Sequence, residues 1–208
     1  MIDMSLSTLE GDKLLKRLIR EDKKTNRNLR NPEQFYKHSK RVSNLSYLVS
    51  CAFEHRGIDI DVELTQDSGL LHDIGKIVTT PSDRKKDPDL IFDSIYGAKF
   101  LKKMGLYKIA DVIRPSFTTY ELMKLKSKLF PDIKLDDLIP KTPEQKIVVC
   151  ADTRISGGGR YVSPNERMRD IRERYGKNSL IVQSLDIGGE ERLKSLNYEI
   201  ERVAGLLI

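Results

Sequence analysis

The stretch Ser68-Gly-Leu-Leu-His-Asp-Ile-Gly-Lys-Ile-Val78 places an ionisable pair, His72 and Asp73, inside an apolar run. We expect both side chains to be at least partly buried, because leucine, isoleucine and valine surround them. A buried carboxylate costs several kcal/mol unless a partner charge, hydrogen bonds or a metal ion compensates it. The chain has 3 histidines, and one of them stands beside this aspartate. The pair therefore suggests two metal ligands.

Helical periodicity dominates the rest of the chain, and no convincing run of alternating strands interrupts it. Asn31-Pro-Glu-Gln34 is typical of a helix start, with a capping residue, a proline and a glutamine that reaches back to the cap. Thr142-Pro-Glu-Gln145 and Ser163-Pro-Asn-Glu166 repeat this pattern. We predict an all-α fold. The predicted helices lie at about 9–23, 32–56, 61–74, 88–104, 106–115, 142–155, 163–175 and 189–207. Loops are predicted at 79–87 and 156–160, and a short helix followed by a loop within 118–140.

Composition indicates a well-hydrated chain of a size that suits one domain. Its 208 residues are 38% hydrophobic and 33% charged, with a net charge of +6. No apolar run approaches the roughly 20 residues that span a bilayer, and the N-terminus has no secretory pattern, so we expect a cytoplasmic protein without a membrane partner. Cys51 and Cys150 are expected to be reduced thiols that bind no metal.

His38 falls on the apolar stripe of the second predicted helix, in phase with Phe35, Val42 and Leu45. A lone histidine on such a stripe is usually a core residue with a hydrogen-bond partner. However, a short loop joins this helix to the next, which favours an antiparallel hairpin. His38 near the start of the hairpin and His72 near its end would then lie at the same end, where both could reach one ion.

Asp152 is a third polar residue in an apolar setting, since it follows Ile147-Val-Val-Cys-Ala151. The alternative is a structural aspartate that pairs with Arg154. One ion shared by His38, the His72-Asp73 pair and Asp152 is the more economical explanation, because it accounts for all three inward-facing polar positions at once. Imidazoles with carboxylates suit a divalent cation. His55 lies at a predicted helix end, where it would interact with the helix dipole, and it is left out of the site.

Together, His38, His72-Asp73 and Asp152 resemble the H…HD…D signature of the HD-domain metal-dependent phosphohydrolase superfamily. The sequence His72-Asp-Ile-Gly-Lys76 looks like its HDIG variant. The resemblance covers roughly 34–155 and implies an HD-domain helical bundle with a core at about 31–156 and a C-terminal helical extension at 157–208. It also implies that His38, His72, Asp73 and Asp152 coordinate one divalent ion, with Mn, Fe, Mg, Zn, Co and Ni all open.

Two departures from the superfamily pattern bear on the chemistry. No histidine follows His72, and Asp93 stands where a histidine is often found, which argues against a two-metal site. Some nucleotidases of the superfamily carry a glutamate shortly after the HD pair. This chain has Gly75-Lys76 there, so the general acid or base is left open.

The leading hypothesis is a metal-dependent phosphohydrolase, a phosphomonoesterase or phosphodiesterase, in which metal-activated water cleaves a small phosphoester such as a nucleotide. Asp73 and Lys76 are the candidate catalytic residues, and Lys76, Arg154 and Arg160 are the candidate substrate-binding residues. Each has a structural alternative: Lys76 as an exposed helix-end lysine, Arg154 as an ion-pair partner, and Arg160 as part of a loop that only superficially resembles a phosphate cradle. The arginines of the helix predicted at 163–175 are expected to be surface charge.

Two other functions compete with hydrolysis. One is a non-hydrolytic nucleotide-sensing or RNA-associated binding module with a degenerate HD site, motivated by the missing histidines and the basic charge. The other is a structural role in which the ion only stabilises the fold. The expected partner is a small phosphorylated molecule, nucleic acid stays possible, and the oligomeric state is open.

Overall fold

The computed structural model describes residues 8–25, 29, 31–87 and 91–205. Within these ranges the chain forms helices and no strand, apart from an isolated antiparallel bridge between Ile155 and Tyr161. The all-α prediction is confirmed. The helices are α1 (Thr8–Thr25), α2 (Pro32–His55), α3 (Val62–Leu71), α4 (Gly75–Val78), α5 (Pro81–Lys86), α6 (Asp93–Lys103), α7 (Tyr107–Ile113), α8 (Thr119–Lys126), α9 (Pro143–Arg154), α10 (Pro164–Tyr175), α11 (Leu180–Ser184) and α12 (Glu190–Ala204).

Helices α2 and α3 form the close hairpin on which the site depends. Gly57 ends the α2 segment with a φ of +76°, a backbone conformation that favours glycine. Gly69 lies so near α2 that an added Cβ would meet the Ser46 hydroxyl at 2.7 Å and the Ser43 Cα at 3.1 Å. The Ser43 hydroxyl donates to the carbonyl of Gln66 across the same contact at 3.0 Å. Small residues therefore bring the two backbones together, as the predicted hairpin requires.

Helix α3 ends at Leu71 rather than at Ile74, and His72 and Asp73 lie in a turn before α4. A close backbone contact with α6 accompanies this turn. A Cβ at Gly75 would overlap the carbonyl oxygen of Asp93, and a Cβ at Gly97 would lie 3.0 Å from the Gly75 nitrogen. The two glycines thus allow α6 to reach the turn that carries the HD pair.

Two large apolar clusters surround the hairpin. One joins α2 and α9 to the C-terminal helices through residues such as Val42, Ile147, Ile171 and Leu196. The other joins α1, α3, α6 and α7. A third, smaller cluster packs around Phe92 and Phe130. Helices α10 to α12 therefore pack directly on the part of the chain that carries the predicted ligands.

Besides the early end of α3 and the short α4, which was not predicted, the secondary-structure prediction missed two further helices. The predicted loop at 79–87 contains α5, whose first turn is closed by a capping box between Thr80 and Asp83. Helix α11 was missed, because its five residues are too few to show a periodic pattern. The ambiguous region 118–140 holds α8 and then the short 3₁₀ helices Ser127–Leu129 and Leu135–Leu138. Part of the helix predicted at 88–104 and the end of the one at 189–207 lie outside the described residues.

No helix within the described ranges is both long enough and apolar enough to cross a bilayer.

We predict that Gly75→Ala destabilises the protein by about 2 kcal/mol or more, because the new methyl group meets backbone rather than a flexible side chain. Gly158→Ala is the matched control, since its added Cβ would meet no atom nearer than 3.8 Å. Urea denaturation of both variants measures the effect. Equal stability of the two variants would show that the contact between α4 and α6 is not tight.

Candidate metal centre

Four buried side chains from three parts of the chain meet at one point. His38 comes from α2, His72 and Asp73 from the turn after α3, and Asp152 from α9. The two histidine Nε2 atoms lie 3.3 Å apart. An oxygen of Asp152 lies 3.3 Å from Nε2 of His38 and 3.7 Å from Nε2 of His72. Oxygens of Asp73 lie 3.8 and 3.5 Å from the same two nitrogens.

Backbone carbonyls fix the orientation of both imidazole rings. Nδ1 of His38 lies 3.1 Å from the carbonyl oxygen of Ser156, and Nδ1 of His72 lies 2.8 Å from that of Gly69. A carbonyl only accepts hydrogen bonds, so each Nδ1 must carry the hydrogen. In the neutral ring, Nε2 then presents a lone pair. Two lone pairs therefore face each other at the centre of the cluster, and a cation or a proton must lie between them.

The charges around the two histidines also favour a positive charge at this point. Burial alone would lower the pKa of His72, but Asp73 and Asp152 outweigh it and raise this pKa to about 9. Burial would raise the pKa of Asp152, yet hydrogen bonds to His38 and His72 hold it well below its usual range. The pKa of Asp73 falls to about 2, because Lys76 and the histidines outweigh its burial. Both carboxylates are thus ionised inside the protein.

The donor set fits a divalent metal ion. Ligand atoms of His38, His72 and Asp73 all lie within 4.8 Å of one another, and Asp152 extends the set through its distances to both Nε2 atoms. Two imidazoles and two carboxylates suit borderline or hard divalent cations. Ligating histidines usually donate their other ring N–H to a carbonyl or carboxylate, as both do in this cluster.

Lys76 lies beside the cluster and is held by two carboxylates. Its ammonium is 2.6 Å from an oxygen of Asp73 and 3.4 Å from an oxygen of Asp93. Burial would lower the pKa of Lys76, but Asp73 and Asp93 raise it above its usual value, so the ammonium stays charged. Burial raises the pKa of Asp93 to about 7, despite the opposing effect of Lys76. Asp93 was noted in the sequence as a departure from the superfamily pattern, and it helps to position the lysine.

A cleft of about 550 Å³ opens onto the cluster. His38, Asp73, Lys76 and Asp152 line one part of it. Elsewhere its wall includes apolar and aromatic residues together with amide and hydroxyl side chains. These are Leu29, Phe35, Ile91, Phe117, Leu122, Ile171, Tyr175, Ile181, Asn31, Gln34, Ser116, Thr118 and Thr119. The cluster is therefore reachable by a small molecule.

The structure does not bring Arg154 and Arg160 to the cluster. Arg154 follows Asp152 by two positions on α9, about 200° around the helix, and its guanidinium lies 3.5 Å from Glu201. Arg160 is exposed, and its charge acts on Glu166. The expected surface position of the α10 arginines is wrong for Arg167, which is buried and lines the cleft.

Arg167 could have been found from helical phase. Arg167, Ile171 and Arg174 recur at intervals of four and three along α10, so they share one face. All three line the cleft. His38 had been identified by the same signal, a polar residue in phase with apolar ones. In α10 the many arginines make this pattern hard to see.

An all-α bundle in which two histidines and two aspartates lie together in the interior is typical of metal-binding helical proteins. A family model described as HD domain matches residues 35–154, which is more than half of the chain, and the chain belongs to this family. An uncharacterized protein of Methanocaldococcus jannaschii is 29% identical over 164 residues, which cover 76% of this chain and 88% of that relative. No solved structure matches the chain significantly. HD domains bind divalent metals, in keeping with the geometry of the cluster.

We predict that metal binding near pH 7.5 releases about one proton, because the ion displaces the proton from Nε2 of His72. With the pKa of His72 at about 9 in the metal-free protein, the apparent metal affinity should fall about tenfold for each unit of pH below this value. Calorimetry in buffers of different ionisation enthalpy measures the release. His55→Ala should leave it unchanged, since His55 is exposed at the end of α2. An affinity independent of pH between 6 and 8 would contradict the assignment.

Proposed function

We propose that this protein is a metal-dependent phosphohydrolase that cleaves a small phosphoester. The observation that carries the proposal is the pair of facing Nε2 atoms, 3.3 Å apart and fixed by backbone carbonyls, with ionised aspartates beside them. This arrangement needs a proton or a metal ion between the two nitrogens, and it borders an accessible cleft rather than a closed core. A purely structural ion would not require a cleft that leads to it. Membership of the HD domain family supports the same reaction class.

Each residue of the cluster has a distinct part in this proposal. His38 and His72 hold the ion through Nε2, while Asp73 and Asp152 supply the negative charge that favours a divalent cation. A divalent ion held by these four side chains would supply the activation of a water molecule and would offset charge on the phosphoryl group. Lys76 binds a phosphoryl oxygen next to Asp73, and Asp93 holds the lysine in place.

The cleft supports a substrate of moderate size. Its volume of about 550 Å³ lies within the range of small-molecule sites. Phe117 and Tyr175 offer aromatic surface, and Asn31 and Gln34 offer amide groups that bind polar atoms. A nucleotide has phosphate, polar groups and a flat ring, so it is the first candidate within the class of small phosphoesters.

We expect His72→Ala and Asp73→Ala to lose both the bound ion and phosphoester hydrolysis, since each change removes a ligand atom and leaves charge unbalanced. His55→Ala is the matched control, because this exposed histidine lies away from the cluster. Elemental analysis and a phosphoester panel in Mn²⁺, Mg²⁺, Co²⁺ and Ni²⁺ measure both properties. Full activity of metal-free Asp73→Ala would overturn the proposal. Nucleotide binding without turnover in the metal-loaded wild type would instead favour a nucleotide-sensing module.

Lys76→Met should lower kcat/KM by roughly a hundredfold, because it removes a positive charge next to the reacting group. The four ion ligands stay in place, so elemental analysis should find the metal content of the wild type. Lys103→Met on the surface of α6 is the control for loss of one lysine charge. Unchanged kcat/KM in Lys76→Met would show that the lysine has no part in the reaction.

A further inference from the structure

Arg167 is a buried cation that the metal cluster does not account for. Its side chain is only 10% exposed, and its Nε atom has no hydrogen-bond partner. It donates one long hydrogen bond of 3.5 Å to Asp170 and forms an ion pair of 3.7 Å with Asp152. A buried guanidinium is normally satisfied by short, often bidentate contacts with an anion. Arg167 lines the cleft without such a contact.

The surroundings hold the Arg167 guanidinium in position. Its central carbon lies 5.8 Å from the centre of the Phe117 ring. The Phe117 carbonyl accepts a hydrogen bond of 2.6 Å from Arg192, and Arg192 also donates to both oxygens of buried Glu121. The backbone of Phe117 is therefore anchored by a partly buried ion pair, and its ring lies against the Arg167 guanidinium.

Arg174 adds a second cation on the same face of α10. It also lines the cleft, and it pairs with Asp170, the same carboxylate that Arg167 approaches. Its guanidinium lies against Gly157, where a Cβ would come within 3.0 Å of it. Within the described ranges, two guanidinium groups thus share one close carboxylate, so positive charge exceeds negative charge at this end of the cleft.

An ion in the cluster would increase this imbalance. Asp152 is the other carboxylate near Arg167, and it is also a proposed ligand. Once the ion engages Asp152, that carboxylate offers less charge to Arg167. Near the cluster, by contrast, Asp73, Asp152 and the partly ionised Asp93 offset most of the positive charge of the ion and Lys76. The positive charge at α10 lies away from most of these carboxylates.

We propose that Arg167 and Arg174 form a second anion subsite, which binds a phosphate or other anionic group of the substrate next to the phosphoryl group held at the metal. This inference rests on the proposed function and narrows its substrate to phosphoesters with two neighbouring anionic groups, such as a diphosphate. Arg167 contacts the second group from its buried position, and Arg174 contacts it from the cleft rim.

The test compares two non-reacting probes, inorganic phosphate and methylenediphosphonate, by calorimetry on the metal-loaded protein at a fixed free concentration of the ion. The wild type should bind the diphosphonate more tightly than phosphate. Arg167→Gln and Arg174→Gln should weaken diphosphonate binding by about tenfold to a hundredfold and leave phosphate binding unchanged. Arg174 is exposed, so its variant keeps the test valid if Arg167→Gln fails to fold.

Arg169→Gln is the matched control, because it removes the same charge from an exposed position of the same helix. It should bind both probes like the wild type. Equal binding of the two probes by the wild type would overturn the subsite, and so would an equal effect of Arg169→Gln. Arg167→Gln weakening both probes equally would also overturn it, since the arginine would then contact the group at the metal. These outcomes concern binding of non-reacting probes, so they would leave the proposed hydrolysis of phosphoesters untouched.

Discussion

Two imidazole nitrogens that face each other inside a protein require a positive charge between them, and the rest of this structure is arranged around that requirement. The carbonyls of Gly69 and Ser156 place the Nδ1 hydrogens and thereby direct both lone pairs to one point. The Gly69 carbonyl belongs to the close α2–α3 hairpin, and the Ser156 carbonyl belongs to the loop after α9. Backbone carbonyls thus determine which nitrogen of each imidazole ring carries the hydrogen, and thereby which nitrogen is free to bind an ion.

The charges beside the cluster divide the cleft into two chemically different parts. Near the ion site, Asp73, Asp93 and Asp152 offset most of the positive charge of Lys76 and of a divalent ion. Near α10, two arginines share a single carboxylate. Close backbone contact at Gly75 brings α6 and its Asp93 to the first part, while packing of the C-terminal helices on α2 and α9 brings α10 to the second. The helices after the HD core therefore complete the cleft.

Helical phase was enough to predict the fold class and to place the residues of the cluster. His38 and Asp152 stood out because each is polar within an apolar pattern, and the short loop of the hairpin indicated that His38 and His72 would meet. Arg154 was chosen for its nearness in sequence to Asp152, which is a poor guide on a helix because neighbouring side chains point in different directions. Arg160 was chosen because it ends a glycine-rich loop that superficially resembles a phosphate cradle. Arg167 was missed although it shares a helix face with Ile171, because the many arginines of α10 hide that pattern.

The central claim is that both histidines bind one ion through Nε2. The most direct test is pulsed electron paramagnetic resonance of the protein loaded with one equivalent of Mn²⁺, which detects nitrogen nuclei bonded to the ion. We expect couplings from two imidazole nitrogens, with one lost in His38→Ala. A loaded protein without directly bound nitrogen would contradict it, because the ion would then lie elsewhere and the facing lone pairs would have no metal between them.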